Sequence, residues 1–129
     1  MKLDQSVMED NLTEWIIHLD GPQGTLYNEE KFQLKFKFSQ KYPFDSPQVT
    51  FIKPYIPIHP HIYTNGHICL SILDNDWTPA LNVSAICVSI QSMLSSCTHK
   101  VKPDDDSMYV RFAPSNPKNT TWVFHDDTV

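Results

Sequence analysis

The stretch Phe32-Gln-Leu-Lys-Phe-Lys-Phe38 decides the fold class. Phe32, Leu34, Phe36 and Phe38 alternate with Gln33, Lys35 and Lys37. Successive side chains of a strand point to opposite faces, so four apolar groups face a core while the polar set faces water. Upstream, Thr13, Trp15, Ile17 and Leu19 share one parity, with Leu12 and Ile16 on the other, an imperfect strand. Downstream, Val49 and Phe51 alternate with Gln48 and Thr50. The turn Asp20-Gly-Pro-Gln-Gly24 joins the first two runs. Three strands with short connections read as an antiparallel meander.

A change of period follows. Val83, Ile86, Ile90, Leu94 and Cys97 recur every three or four residues, which predicts a helix with one apolar face against the open face of the sheet. Asn82 or Ser84 suits its N-cap. Cys87 and Cys97 read as packing residues of this segment. Asp104-Asp-Asp106 opens a shorter helix through Arg111, stopped by Pro114 and Pro117. The fold class is therefore α+β: a meander sheet, a central helix on one face and a short C-terminal helix. The expected division is a loose lead-in over 1–11, a core domain over 12–113 and a polar tail over 114–129.

Composition narrows the function classes. A chain of 129 residues suits one domain, and 40% hydrophobic residues mark it as globular. The net charge of −5, with scattered cations, argues against a nucleic-acid partner. No apolar run approaches the ~20 residues of a membrane helix, and Met1-Lys-Leu3 does not lead into a secretory signal. Three cysteines without framework spacing point to a reducing compartment, the cytoplasm or nucleus.

Between sheet and helix lies the segment that carries chemistry. Pro54, Pro57 and Pro60 recur every third residue, which favours extended backbone, a stiff wall or cover. Asn65-Gly66 is a turn because both residues tolerate positive φ. Just past it, in an apolar strand-like run, comes Cys69, which such a turn can leave in a shallow groove. The plain alternative is a core cysteine. Trp77-Thr-Pro-Ala-Leu81 forms a second proline turn with an aromatic anchor. His59, His61, His67 and Cys69 raise a zinc reading, but H-x-H-x₅-H-x-C is not a usual structural spacing, and no metal site is expected.

The order His59-Pro60, Asn65-Gly66-x-Ile68-Cys69-Leu70, Trp77-x-Pro79-Ala80-Leu81 resembles the active-site segment of ubiquitin-conjugating enzymes. Gly24-Thr-Leu-Tyr27 and Tyr42-Pro-Phe-Asp-Ser-Pro47 match two further motifs of that family in the right order. The resemblance spans roughly Leu12 to Tyr109. The ending Trp122-Val-Phe-His-Asp-Asp127, and His61 in place of the usual asparagine, are similar to the family's W-type branch, associated with attaching ubiquitin to protein N-termini.

The resemblance implies that Cys69 carries ubiquitin as a thioester and passes it to an amine. It implies that His59 holds the turn, with Asn65 and Trp77 as further structural support of the site, and that His61 either donates to the oxyanion or only braces the Asn65 turn. His67 is read as a solvated neighbour. One of Asp104, Asp105 and Asp106 would gate the site, the bland reading being a solvated helix start. Pro43, Phe44, Pro79 and Ala80 resemble the loops that bind RING-type or U-box ligases. The implied partners are ubiquitin, the activating enzyme, those ligases and protein substrates. No cofactor is implied, ATP being used only by the activating enzyme. The family usually begins with an amphipathic helix of about four turns, a docking surface for the activating enzyme and ligases. The absence of such a segment before Leu12 raises the alternative of a catalytically impaired ubiquitin- or ligase-binding variant of the same fold.

Overall fold

The structure is a computed structural model that describes residues 2–7 and 13–122. Leu12 and the tail motif 123–127 lie outside the described residues. A four-stranded antiparallel sheet is built in chain order from β1 (Lys2–Val7), β2 (Thr13–Asp20), β3 (Lys31–Phe38) and β4 (Gln48–Phe51). The lead-in read as loose thus contains a strand, with Lys2 opposite His18 and Val7 opposite Thr13. Its polar sequence shows no sustained period; pairing to β2 supplies what local pattern does not.

The alternation in β3 maps onto burial: Phe32, Leu34, Phe36 and Phe38 are all buried. Ile17 and Leu19 of β2 and Val49 and Phe51 of β4 join them. This face is covered by α1 (Val83–Ser95), whose Ile86, Cys87, Ile90, Met93 and Leu94 lie in the same apolar cluster. Asn82 caps α1, its Oδ1 accepting from Ala85 N–H at 2.8 Å and satisfying one of the first-turn donors. Ser96 closes the helix, so Cys97 falls just beyond it, where the Tyr27 hydroxyl contacts Sγ at 3.3 Å.

The shorter helix α2 (Asp106–Phe112) starts within the acidic run, but its N-cap Asp105 makes no side-chain cap. The carboxylates of Asp105 and Asp106 reach instead to the 63–64 loop. The segment expected to be strand-like after Gly66 is irregular. It makes isolated bridges Thr50↔His67 and Ile62↔Ile68, then a 3₁₀ turn over Ser71–Leu73.

Candidate active site

The loop 59–70 is pinned from below by His59, which is buried. His61 N–H donates to His59 Nδ1 at 2.9 Å, and Nε2 lies 3.1 Å from the Met93 carbonyl. Nδ1 accepts, so the proton sits on Nε2 and is donated to α1. Burial pushes this imidazole down to about 4, outweighing the Met93 carbonyl, which favours the charged form. His59 is therefore a neutral strut between the loop and the helix. Both ring nitrogens are occupied, so neither is available as a metal ligand.

His61 is half-buried with its ring 5.5 Å from that of His59, and its carbonyl accepts the Cys69 N–H at 2.9 Å. That backbone bond ties the histidine directly to the cysteine. Asn65 Oδ1 accepts His67 N–H at 3.1 Å, closing the turn. Gly66, at φ +94°, packs its backbone so closely on β4 that a Cβ would lie 2.2 Å from Phe51 O. His67 is not solvated as expected; it is buried, and its Nδ1 meets the Tyr109 hydroxyl at 2.8 Å. Burial pushes this imidazole down as well.

Ile68 and Leu70 enter the apolar core, whereas Cys69 between them is not part of that cluster. The sulfur is nevertheless covered: Cys69 is only 8% exposed, not held open as its turn suggested. Of the three prolines expected to wall or cover this region, Pro54 and Pro57 line a hollow with Ile58 and Ile62. Asp105 and Asp74 act electrostatically on Cys69, and the Cys69 thiolate in turn acts on the phenols of Tyr63 and Tyr109. Burial pushes the thiol up to about 11, and the carboxylates of Asp105 and then Asp74 push in the same direction.

The three acidic residues part ways here. Asp104 is exposed. Asp106 is buried and accepts from Thr64 N–H at 2.8 Å and the Thr64 hydroxyl at 2.9 Å, so it fastens α2 to the loop. Asp105 faces the site, where the Tyr63 hydroxyl donates to its two carboxylate oxygens at 2.9 and 3.2 Å. Tyr63 in turn stacks on Tyr109 at 3.9 Å, and Trp122 stacks on Tyr109 at 5.5 Å. This aromatic pile is the feature sequence reasoning missed. Tyr63 and Asp105 are 42 residues apart, and no local period signals their meeting.

On the other side, Trp77 Nε1 donates to the Pro43 carbonyl at 2.9 Å and its ring lies 6.1 Å from Tyr42. It thereby joins the 42–45 loop to its own turn. Phe44 stands 78% exposed at the tip of one, and Pro79 and Ala80 are exposed in the other. Between these loops and the tail lies a cleft of about 300 Å³ whose walls include Phe44, Leu73, Asp74, Trp77, Pro117 and Trp122.

Such a site joins one covered thiol, two carboxylates beside it and a cleft leading away. Residues 1–123 match the ubiquitin-conjugating enzyme family. A "Probable ubiquitin-conjugating enzyme E2 W-A" of Danio rerio is 57% identical over 128 residues, covering 99% of this chain and 85% of that protein. A "Probable ubiquitin-conjugating enzyme E2 W" of Dictyostelium discoideum is 60% identical over 121 residues, 93% of this chain and 80% of that protein. Among solved structures, ubiquitin conjugating enzyme E2 UbcA1 from Agrocybe aegerita superposes with a TM-score of 0.81 at 41% identity, over 90% of this chain and 84% of that one. The motifs, the meander with its helix and these matches agree: the chain belongs to the ubiquitin-conjugating enzymes, transferases that act through a cysteine thioester, and resembles their W type.

Proposed function

We propose that Cys69 takes the ubiquitin C-terminal acyl group from the activating enzyme as a thioester and delivers it to an amine, preferentially the α-amine of a protein N-terminus. The observation that supports this most is the placement of Cys69: buried but outside the contiguous apolar cluster, and beside Asp74 and Asp105. In the first step the Cys69 thiol loses its proton, the sulfur bonds to the carbonyl carbon, and the partner's thiolate leaves. In the second an amine bonds to that carbon, the carbon–sulfur bond breaks, and the Cys69 thiolate departs. Both steps are acyl transfers and need no metal or organic cofactor.

The carboxylates act unequally on these steps. They oppose the thiolate, which is charged, and not the thioester, which is neutral. A thiolate with a pKa of about 11 is a reluctant leaving group, so the loaded form resists stray nucleophiles. Asp105, oriented by Tyr63, is the gate among the three aspartates: it attracts an incoming ammonium and accepts a proton as the amine attacks. His61, whose carbonyl holds the Cys69 N–H, is the candidate donor to the oxyanion.

Preference for α-amines follows from pKa. Near pH 7.4 roughly a quarter of α-amines are neutral against ~0.1% of lysines. A site with a weak base therefore still serves the α-amine while failing lysine. Phe44 and Pro43, with Pro79 and Ala80, form the contact for RING-type or U-box ligases, the aromatic tip serving as anchor. Three free thiols fit a cytoplasmic or nuclear setting.

The test is single-turnover discharge of the loaded enzyme onto free lysine and onto a lysine-free peptide, with the peptide's α-amine either open or acetylated. The expected order is open peptide first, with lysine and the acetylated peptide near the hydrolytic background. Equal or faster discharge by lysine would reject the preference.

A further inference from the structure

Three of the chain's ten cationic side chains line one cleft on a molecule of net charge −5. Lys35 and Lys37 project from the outer face of β3, and Lys53 enters from the loop after β4. The cleft holds about 270 Å³ and has no carboxylate in its lining. Across the ladder from β4, Lys35 faces Thr50 and Lys37 faces Gln48, both neutral. Glu14 is the β2 partner of Lys37, but among the described residues neither these two nor any of the three lysines forms an ion pair. Outward lysines on a strand have a plain use in keeping a sheet soluble and its edges unpaired. That use does not call for a third lysine converging from a separate segment into the same hollow.

The cleft adjoins the site in two ways. His67, two residues before Cys69, forms part of its wall and is bonded to Tyr109 of the aromatic pile. Pro117 is shared between this cleft and the one lined by Asp74 and Trp122. The two clefts therefore meet at Pro117, and the lysine cleft reaches to His67, two residues from Cys69. An extended acceptor advances ~3.4 Å per residue, so a cleft beside the site is met by side chains a few positions after the amine and not by the first.

We propose that this lysine cleft selects acceptor polypeptides carrying acidic residues a few positions after the attacked N-terminus. The inference rests on the reading of Cys69 above and adds the chemistry of the acceptor. Exposed ion pairs each contribute a factor of a few, and two or three together amount to about tenfold in kcat/KM. The advantage shrinks as salt shortens the screening length toward ~3 Å.

The experiment compares two lysine-free peptides with open N-termini, one with three Glu and one with three Gln at positions four to six. Discharge of preformed thioester is followed at low and high salt, and binding of labelled peptides to the uncharged chain by fluorescence anisotropy. The Glu peptide should win by about tenfold at low salt and lose most of that lead near 1 M salt. K35E/K37E/K53E, with K35Q/K37Q/K53Q as the milder variant, should reverse or abolish the preference while thermal unfolding and thioester formation stay unchanged. Equal discharge and binding of the two peptides at low salt would overturn the proposal. So would a Glu preference that survives in both variants, or tighter binding of a single-stranded DNA of equal charge. Glu-selective binding without any thioester on the wild-type chain would sink the reading of Cys69 and uphold the cleft.

Discussion

Asp105→Asn should push two reactions of the same sulfur in opposite directions. The thiol lies at about 11 against an ordinary value of 9.0, with burial the largest cause and Asp105 the next. A second-ranked cause supplies at most half of that rise, so removing the charge lowers the thiol by no more than about one unit. One unit gives tenfold more thiolate at pH 8, but the more acidic sulfur is roughly threefold less nucleophilic, at a Brønsted slope of about 0.4–0.5. Alkylation by iodoacetamide should therefore rise by up to about threefold. Discharge to an α-amine peptide depends on the same carboxylate to orient the amine and take its proton, and should fall by about 10²-fold or more. Asp74→Asn relieves the thiol similarly without touching the gate, so it should accelerate alkylation and leave peptide discharge within a few-fold. The assay is pseudo-first-order labelling by mass spectrometry over pH 7–10, paired with single-turnover discharge. If Asp105→Asn lowers both rates, or raises both, the carboxylate does not act as described.

Other consequences are simpler to read. Gly66→Ala places a methyl 2.2 Å from Phe51 O at φ +94°, so the β4–loop junction must open; we expect a loss of 2 kcal/mol or more in urea unfolding. His59 is neutral in the fold at about 4 and ordinary at 6.5 when unfolded. Its contribution is fully present above 6.5 and is lost as pH falls toward 4, by about 2 kcal/mol at pH 5. His59→Asn should be less stable at pH 7 and lack that acid slope in denaturant melts. Phe44→Ala should cut ligase-stimulated discharge while leaving intrinsic discharge unchanged, since Phe44 is 78% exposed at the tip of its loop.

The parts of this structure that local period encodes were legible. Phe32 to Phe38 declared their buried face, Ile86, Ile90 and Leu94 theirs, and Asn82 its cap. Gly66 was marked as a turn, although the pressure from Phe51 O that makes glycine necessary there comes from a distant strand. What stayed hidden depends on contacts across the chain. Asp105 differs from Asp104 and Asp106 only because Tyr63 and Thr64, 42 residues earlier, divide two of the three carboxylates between them. His67 looked solvated because nothing near it in sequence announces Tyr109. The cover over Cys69 is likewise assembled from distant segments, so the turn before it suggested a more open sulfur than the fold provides. β1 pairs along its whole length without a periodic sequence of its own.

On the function proposed above, Cys69, and neither Cys87 nor Cys97, carries ubiquitin. The most direct test incubates the chain with activating enzyme, ubiquitin and ATP and resolves the product on a non-reducing gel. We expect one adduct that thiol reductant removes, that Cys69→Ser converts to a reductant-stable ester, and that Cys87→Ala with Cys97→Ala leaves intact. An adduct that survives Cys69→Ala, or none on the wild-type chain while a control conjugating enzyme is charged, would contradict it.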